Sequence, residues 1–430
     1  MKTPRRPWHE ELAIIDRTMR AISGVTDPEE MVRNYWTGIG ELISIEDFVS
    51  VSRRDLAWPE YRITRSSRFT EHHNPWTQRD RLPRFSGGLL AEFAYANRPT
   101  IIDDLPARLT EDEPARFYLE GFQSAVALPQ YDGGEGLNLT VMLFPPGVEI
   151  DRSFIPMMHW QAGLFGRGTT NLVLRNELTA VLEALNRELE VVGEIQRSLL
   201  PRDLPQIEWF ELATFYQTSA RAGGDYYDFF PLACRQWGLF IADVAGHGTP
   251  AAVLMAITHA IAHAQPGTHT PPSVLLGYLN DQLTRSYTRD GTFVTAFYAV
   301  LDPSNRRLTY ARAGHNPPRL VRRGCVRSLD ETGALPMGIL ENQAYGQATV
   351  CLEPGDLVLL YTDGITEASP PPRNGERELF GVERLDDLLL ACGANNAAEC
   401  IERVRGEVAA FCANAPPIDD QTLIAIRCLK

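Results

Sequence analysis

Residues 237–255, WGLFIADVAGHGTPAAVLM, decide how the C-terminal half of this chain is read. Leu239, Phe240, Ile241 and Ala242 form an apolar run of strand length, and Asp243 ends it with a charge that a strand terminus can aim into a cleft. Gly246 and Gly248 flank His247 and allow backbone conformations that a side chain forbids. Thr249 then reads as a helix N-cap and Pro250 as the first helical residue, ahead of Ala251, Ala252, Val253, Leu254 and Met255. Strand, carboxylate, glycine hinge and helix start together present an anionic oxygen and free backbone groups at one spot. A purely structural turn has the same grammar, so the surrounding chain must decide between them.

A length of 430 residues suits two or three domains, and 44% hydrophobic content can fill ordinary cores. The formal net charge of −14 argues against general affinity for nucleic acid or an anionic membrane, both of which need concentrated Lys and Arg. An acidic protein of this kind recruits cations instead. Seven cysteines, with no C-x-x-C pair and an odd count, do not describe a closed disulfide framework; they read as reduced thiols in a cytoplasmic protein. The opening MKTPRRPWHEELA places Glu10 and Glu11 where a signal peptide needs an apolar stretch. No uninterrupted apolar run reaches the roughly 18 to 20 residues of a membrane helix, so no membrane insertion is expected.

Residues 9–24 and 27–43 space their apolar positions as two amphipathic helices, the second started by Asp27 and Pro28. Strands are expected at 48–52, 61–64 and 100–102, a helix at 88–96, and a hairpin from 124–129 and 137–144 around Asp132, Gly133, Gly134, Glu135 and Gly136. The order of elements, with LLAEFAYANRPTIIDDL followed by the strand GFQSAVALP, resembles a GAF-type domain and implies an α/β sensor over residues 1–168. His72 and His73 lie in the polar stretch SSRFTEHHNPWTQRD and read as loop residues, while Trp36, Trp58, Trp76 and Trp160 read as core filling or as a pocket lining. From 170 to 200, Leu174, Leu178, Val181, Leu185, Leu189, Val192, Ile195 and Leu199 recur by threes and fours. That seam predicts a long helix within a 169–206 linker, packed on its own domain or paired in a parallel homodimer. Pro201 and Pro205 end it.

From residue 207 onward the pattern is strands and short helices, with strands expected at 292–302, 307–313, 319–323, 349–352, 356–361 and 422–427, and a helix at 273–286. An antiparallel β core with helices outside follows. Acidic residues share one placement here, each at a strand edge beside glycine or another acid: Asp225 in AGGDYYDFF, Asp243 in IADVAGHG, Asp363 in VLLYTDGITEA, and Asp419 with Asp420 in PPIDDQTLIAIR. If those edges converge, carboxylates about 4 Å apart repel by about 4 kcal/mol per pair at an effective dielectric of 20, so the cluster must protonate or hold cations. Hard oxygen ligands without Cys or His select Mg2+ or Mn2+ over zinc. Two such ions can share a bridging water and aim it at a phosphorus.

AGGDYYDFF, IADVAGHGTPAAVLMA, RAGHNPPRL, YTDGITEA, FGVERL and DDQTLIAIR, in this order after QRSLLPRDLP, resemble the bacterial SpoIIE-type branch of the PPM metal-dependent Ser/Thr phosphatases. The resemblance covers about residues 194–427 and implies an α/β/β/α sandwich at 207–430 with two metal ions, Mn2+ or Mg2+, at one end. It implies that Asp243 bridges both ions, that the Val244 carbonyl ligates one, and that Asp225, Asp363 and Asp419 complete the catalytic set. Asp420 is grouped with the metal set and Asp228 lies near it, both in supporting roles. The substrate class it implies is a phosphorylated STAS-type anti-sigma-factor antagonist.

Several neighbours have plainer explanations. His247 shapes its turn; His315 and Asn316 in GHNPP make another; Arg221 is a surface cation. His259 and His263 are four apart, but H-A-I-A-H lacks the Glu of a zincin. Residues 364–378, with three prolines, read as a mobile loop beside the site. GGDYYDFF superficially resembles the GGD of diguanylate cyclases, yet Tyr226 stands where that chemistry wants a further acid, and no P-loop or nucleotide-binding box supports a kinase-like ATPase. The alternative from another class is a non-catalytic adaptor that binds its partner through the β domain.

Overall fold

The computed structural model describes residues 7–42, 46–264, 271–288, 291–371, 378–392 and 396–430. It contains two compact units, Met1–Glu183 and Ala184–Lys430. The first opens with helices α1 (Trp8–Ser23) and α2 (Pro28–Leu42), followed by β1 (Asp47–Ser52), β2 (Glu60–Ser66), β3 (Arg84–Ser86), α3 (Gly88–Tyr95), β4 (Thr100–Ile102), the short α4 (Arg116–Leu119) and the hairpin β5 (Ser124–Asp132) with β6 (Glu135–Phe144). The strands pair antiparallel in the order β3-β2-β1-β6-β5-β4. Alternation sorts β5 between two layers: Ala125 and Ala127 join Leu90 and Phe93 of α3, whereas Val126 and Leu128 face Ile155 and Met158.

Those last two residues open α5 (Ile155–Leu199), which begins some fifteen residues before the expected start at 170. Gly163, Gly166 and Gly168 weaken the helical signal there, since glycine costs about 1 kcal/mol against alanine in a helix. Packing overrides that preference. A side chain at Gly166 would press on Gln130 at 3.1 Å, so the glycine permits the helix to lie close on the sheet. Of the four tryptophans, Trp36 stacks on Phe48 with centroids 4.7 Å apart and, with Trp76, lines a cavity of about 710 Å³ in this unit. Trp58 and Trp160 are 61% and 67% exposed and belong to neither core nor cavity.

The second unit is built from β7 (Phe210–Gln217), β8 (Tyr226–Pro231), β9 (Trp237–Val244), α6 (Thr249–Ala264), α7 (Pro272–Ser286), β10 (Val294–Asp302), β11 (Arg307–Ala313), β12 (Arg319–Arg322), β13 (Cys325–Ser328), β14 (Ala348–Cys351), β15 (Leu357–Tyr361), α8 (Asp363–Thr366), α9 (Gly381–Ala391), α10 (Ala397–Phe411) and β16 (Gln421–Cys428). Two five-stranded antiparallel sheets result, β14-β11-β10-β9-β8 and β13-β12-β15-β16-β7. Leu239 and Ile241 of the first share a buried cluster with Val358 and Leu360 of β15 and Ile424 and Ile426 of β16, which fills the space between the sheets. Helices α6 and α7 add Leu254, Met255, Leu276 and Leu279 to that cluster. On the second sheet the alternate residues Leu357, Leu359 and Leu423 pack with Leu385 of α9 and Val404 of α10. Helix, sheet, sheet, helix is therefore the layering. Both faces of β9 are covered, so its apolar run is continuous and not alternating. Among the described residues no helix is long and apolar enough to cross a membrane.

Candidate active site

Antiparallel pairing brings the end of one strand beside the start of its neighbour. Tyr226 pairs with Ala242, so Asp225, just ahead of β8, falls beside Asp243 near the end of β9. In the second sheet Tyr361 pairs with Leu423, and the continuation past each places Asp363, the first residue of α8, near Asp419 and Asp420, which precede β16. Each sheet thus contributes one strand exit and one strand entry to the same rim. The four expected aspartates meet there: Asp363, Asp419 and Asp420 all act electrostatically on Asp243, and Asp243 and Asp225 are hydrogen-bonded.

Burial and mutual repulsion raise Asp225, Asp243 and Asp363. Desolvation pushes Asp243 up to about 7, helped by Asp363, Asp419 and Asp420 and opposed by the bond to Asp225. Asp363 is pushed up to about 6 by desolvation, then by Asp419 and Glu367. Asp225, fully enclosed, rises well above the carboxylate range through desolvation and the charge of Asp243. The charges that bear most on these three acids are other carboxylates, which is the electrostatic condition a bound cation relieves. All-oxygen donors fit Mg2+ or Mn2+. The Val244 carbonyl lies beside Gly224, where an added Cβ would sit 2.7 Å from its oxygen.

Sequence reasoning missed the groups that hold these acids in place. Asp225 Oδ2 accepts from Thr362 Oγ1 at 2.7 Å and Thr422 Oγ1 at 2.5 Å, so each motif's threonine reaches the aspartate of another motif. Asp420 is buried; its Oδ1 accepts from the Ser219 N–H and hydroxyl at 2.7 and 3.1 Å, and its Oδ2 from the Gly224 N–H at 2.6 Å. Asp420 thereby braces the loop that carries Asp225. Gln196, buried near the end of α5, clamps the same loop: its Nε2 donates to the Gly223 carbonyl at 2.7 Å and its Oε1 accepts from the Gly223 N–H at 2.9 Å.

Other candidates fall elsewhere. Asp228 does not join the cluster: its carboxylate accepts from the Tyr226 hydroxyl and lies against His263. His247 is exposed between Gly246 and Gly248, both at positive φ, in a turn. His315 is buried beside the site, not merely in a turn; its Nδ1 is 2.8 Å from Thr295 Oγ1, and Thr295 pairs with Asp243 across the strands. Burial and Arg312 hold its ring well below the ordinary imidazole range, at about 3. Arg221 pairs with Glu190 of α5. Of the expected loop at 364–378, residues 364–366 belong to α8 and 372–377 lie outside the described residues.

Gly364 has no room for a side chain, because a Cβ would overlap the Asp420 carbonyl oxygen. Gly364→Ala is expected to displace the strand entry that carries Asp419 and to cost about 2 kcal/mol of stability, read by urea denaturation, together with metal affinity read by calorimetry.

Residues 234–429 match the family model described as Stage II sporulation protein E (SpoIIE). The C-terminal unit is a SpoIIE-type domain. Consistent with its sandwich, the SpoIIE-type domain superposes on the SiaA-PP2C domain of Pseudomonas aeruginosa with a TM-score of 0.51 at 23% identity, over 58% of this chain and 98% of that one. The chain is 27% identical over 292 residues to Protein IcfG of Synechocystis sp. (strain ATCC 27184 / PCC 6803 / Kazusa), covering 60% of this chain and 45% of the relative. It is 30% identical over 209 residues to phosphoserine phosphatase RsbU of Bacillus subtilis (strain 168), covering 48% and 61%. The chain therefore spans only 45 to 61% of the length of these curated relatives.

Proposed function

We propose that residues 207–430 form a metal-dependent protein serine/threonine phosphatase that hydrolyses phosphoserine or phosphothreonine. The observation that carries this reading is the meeting of Asp225, Asp243, Asp363 and Asp419 at one rim, where burial and neighbouring carboxylates raise the first three. Asp243 and the Val244 carbonyl, with Asp225, Asp363 and Asp419, would hold two Mn2+ or Mg2+ ions, and Asp420 adds its charge while bracing the loop. When bound, the ions supply Lewis acidity that activates a water and clamps phosphate oxygens. The chain's own part is to keep the acids apart by fixed amounts: Thr362 and Thr422 orient Asp225, and the β8–β9 pairing sets Asp243 beside it. The resemblance to RsbU, a phosphoserine phosphatase, favours a phosphorylated STAS-type anti-sigma-factor antagonist as the protein substrate.

Residues 1–168 are read as a GAF-like sensor and 169–206 as the helical linker of a cytoplasmic homodimer. The support for pairing is that Leu174, Leu178, Val181, Leu185 and Ile195 of α5 are all exposed in the single chain, although a helix seam of this kind needs a partner. Replacing Leu178 and Leu185 by Glu is expected to halve the solution mass measured by light scattering; an unchanged mass rejects the pairing. Phosphate release from a phosphoserine peptide and from a phosphorylated STAS protein, measured with Mn2+ and with EDTA, tests the enzyme. Metal binding without release would leave the adaptor reading in its place.

A further inference from the structure

Helix α6 carries His259 and His263 one turn apart, with ring centroids 4.3 Å from each other. Asp228 of β8 faces them. Its Oδ2 lies 2.7 Å from His263 Nε2 and accepts from the Tyr226 hydroxyl at 2.5 Å, while its Oδ1 accepts from the Phe229 N–H at 2.7 Å. One donor atom from each of Asp228, His259 and His263 falls within 4.8 Å of the others, in a group found among the described residues outside the aspartate rim. The Asp228 side chain is only 8% exposed, whereas that of His263 is 47% exposed, so the group opens to solvent on one side.

We propose that Asp228, His259 and His263 form a second metal site that takes a borderline divalent transition ion, with Zn2+ as the type case. Two imidazoles and one carboxylate are the donor set that favours such ions over Mg2+, and they leave a fourth, solvent-facing position open. Ligands about 2.0 to 2.2 Å from a shared ion sit closer together than 4.8 Å, so modest rotation of the half-exposed His263 closes the set. The carboxylate is already oriented by the Tyr226 hydroxyl and the Phe229 N–H, as outer partners orient a metal ligand. His259 also packs edge-on against Tyr226, with centroids 5.6 Å apart, which holds its ring beside Asp228. This site is distinct from the aspartate rim because side chains alternate along a strand. Asp225 turns toward Thr362 and Thr422 of the second sheet, whereas Tyr226 and Asp228 turn toward α6. The proposal does not depend on the phosphatase reading.

The test uses the full chain in saturating Mg2+, which keeps the all-oxygen rim occupied. Titration with Zn2+ by calorimetry is expected to show one further equivalent per chain, and Co2+ at the same site should give the intense visible bands of four-coordinate ligation that includes nitrogen. His259→Gln and His263→Gln should each weaken Zn2+ at least about tenfold while leaving the metal-free melting temperature unchanged. Absence of a Zn2+ equivalent in Mg2+, or one whose affinity in both variants equals that of the wild type, overturns the site.

Discussion

Replacing Asp243 by Asn will lower metal-dependent phosphate release about a thousandfold, roughly 4 kcal/mol of barrier, and will leave the fold standing. Asp243 is where the influence of Asp363, Asp419 and Asp420 converges with the bond to Asp225, so it is placed between both halves of the rim. The amide keeps the shape and removes the charge, and a neutral oxygen is a poor ligand for a hard divalent ion. In the absence of metal the same change removes repulsion, so the variant should melt at or above the wild-type temperature in EDTA. Rates of a phosphoserine substrate with excess Mn2+, paired with calorimetric melting in EDTA, check both halves. A variant that keeps wild-type activity would remove Asp243 from the proposed ion set, and one that melts lower in EDTA would show that the acid stabilises the empty rim.

The second large effect is on stability as a function of pH. Asp243 stands at about 7 in the folded chain against an ordinary value near 3.8, because desolvation and neighbouring carboxylates oppose its charge. Between those two values the folded state keeps a proton that the unfolded chain has released. The folded state thus binds more protons, and stability falls as pH rises through this window. About three pKa units correspond to a loss on the order of 4 kcal/mol, complete above pH 7. Divalent ions reverse the effect by holding the carboxylates ionised, so the stabilisation by Mn2+ should grow from acid to neutral pH. Melting curves in EDTA and in Mn2+ across this range measure it, with Asp243→Asn as the reference that subtracts the titrating groups outside the rim. A wild-type curve in EDTA that is flat relative to this reference would contradict the repulsion.

The aspartates were legible because each motif repeats one local pattern, an acid at the edge of an apolar strand beside glycine or a second acid. The sandwich followed from the same strands, although β7, β8 and β13 needed their partners to be seen. Thr362 and Thr422 were illegible as holders of Asp225, since threonine is a common strand residue and its reach across to another motif exists only after folding. Gln196 gave no signal at all, being an ordinary polar residue of a helix some thirty positions upstream of its target. The early start of α5 was hidden by three glycines whose lost propensity is recovered in packing. His259 and His263 showed their spacing, yet nothing in the order of residues announced that β8 would turn Asp228 toward them.

Two of the four acids hang from one sheet and two from the other, and what separates the sheets is the buried filling that includes Ile241, Leu360 and Ile424. The gap across which the acids face one another is therefore a thickness, and side-chain volume far from solvent sets it. Trimming a methylene midway between the layers should retune the spacing of the rim much as a shim retunes a pair of jaws, and variation in catalytic rate among natural versions of this domain has a place to arise without any change at the rim itself.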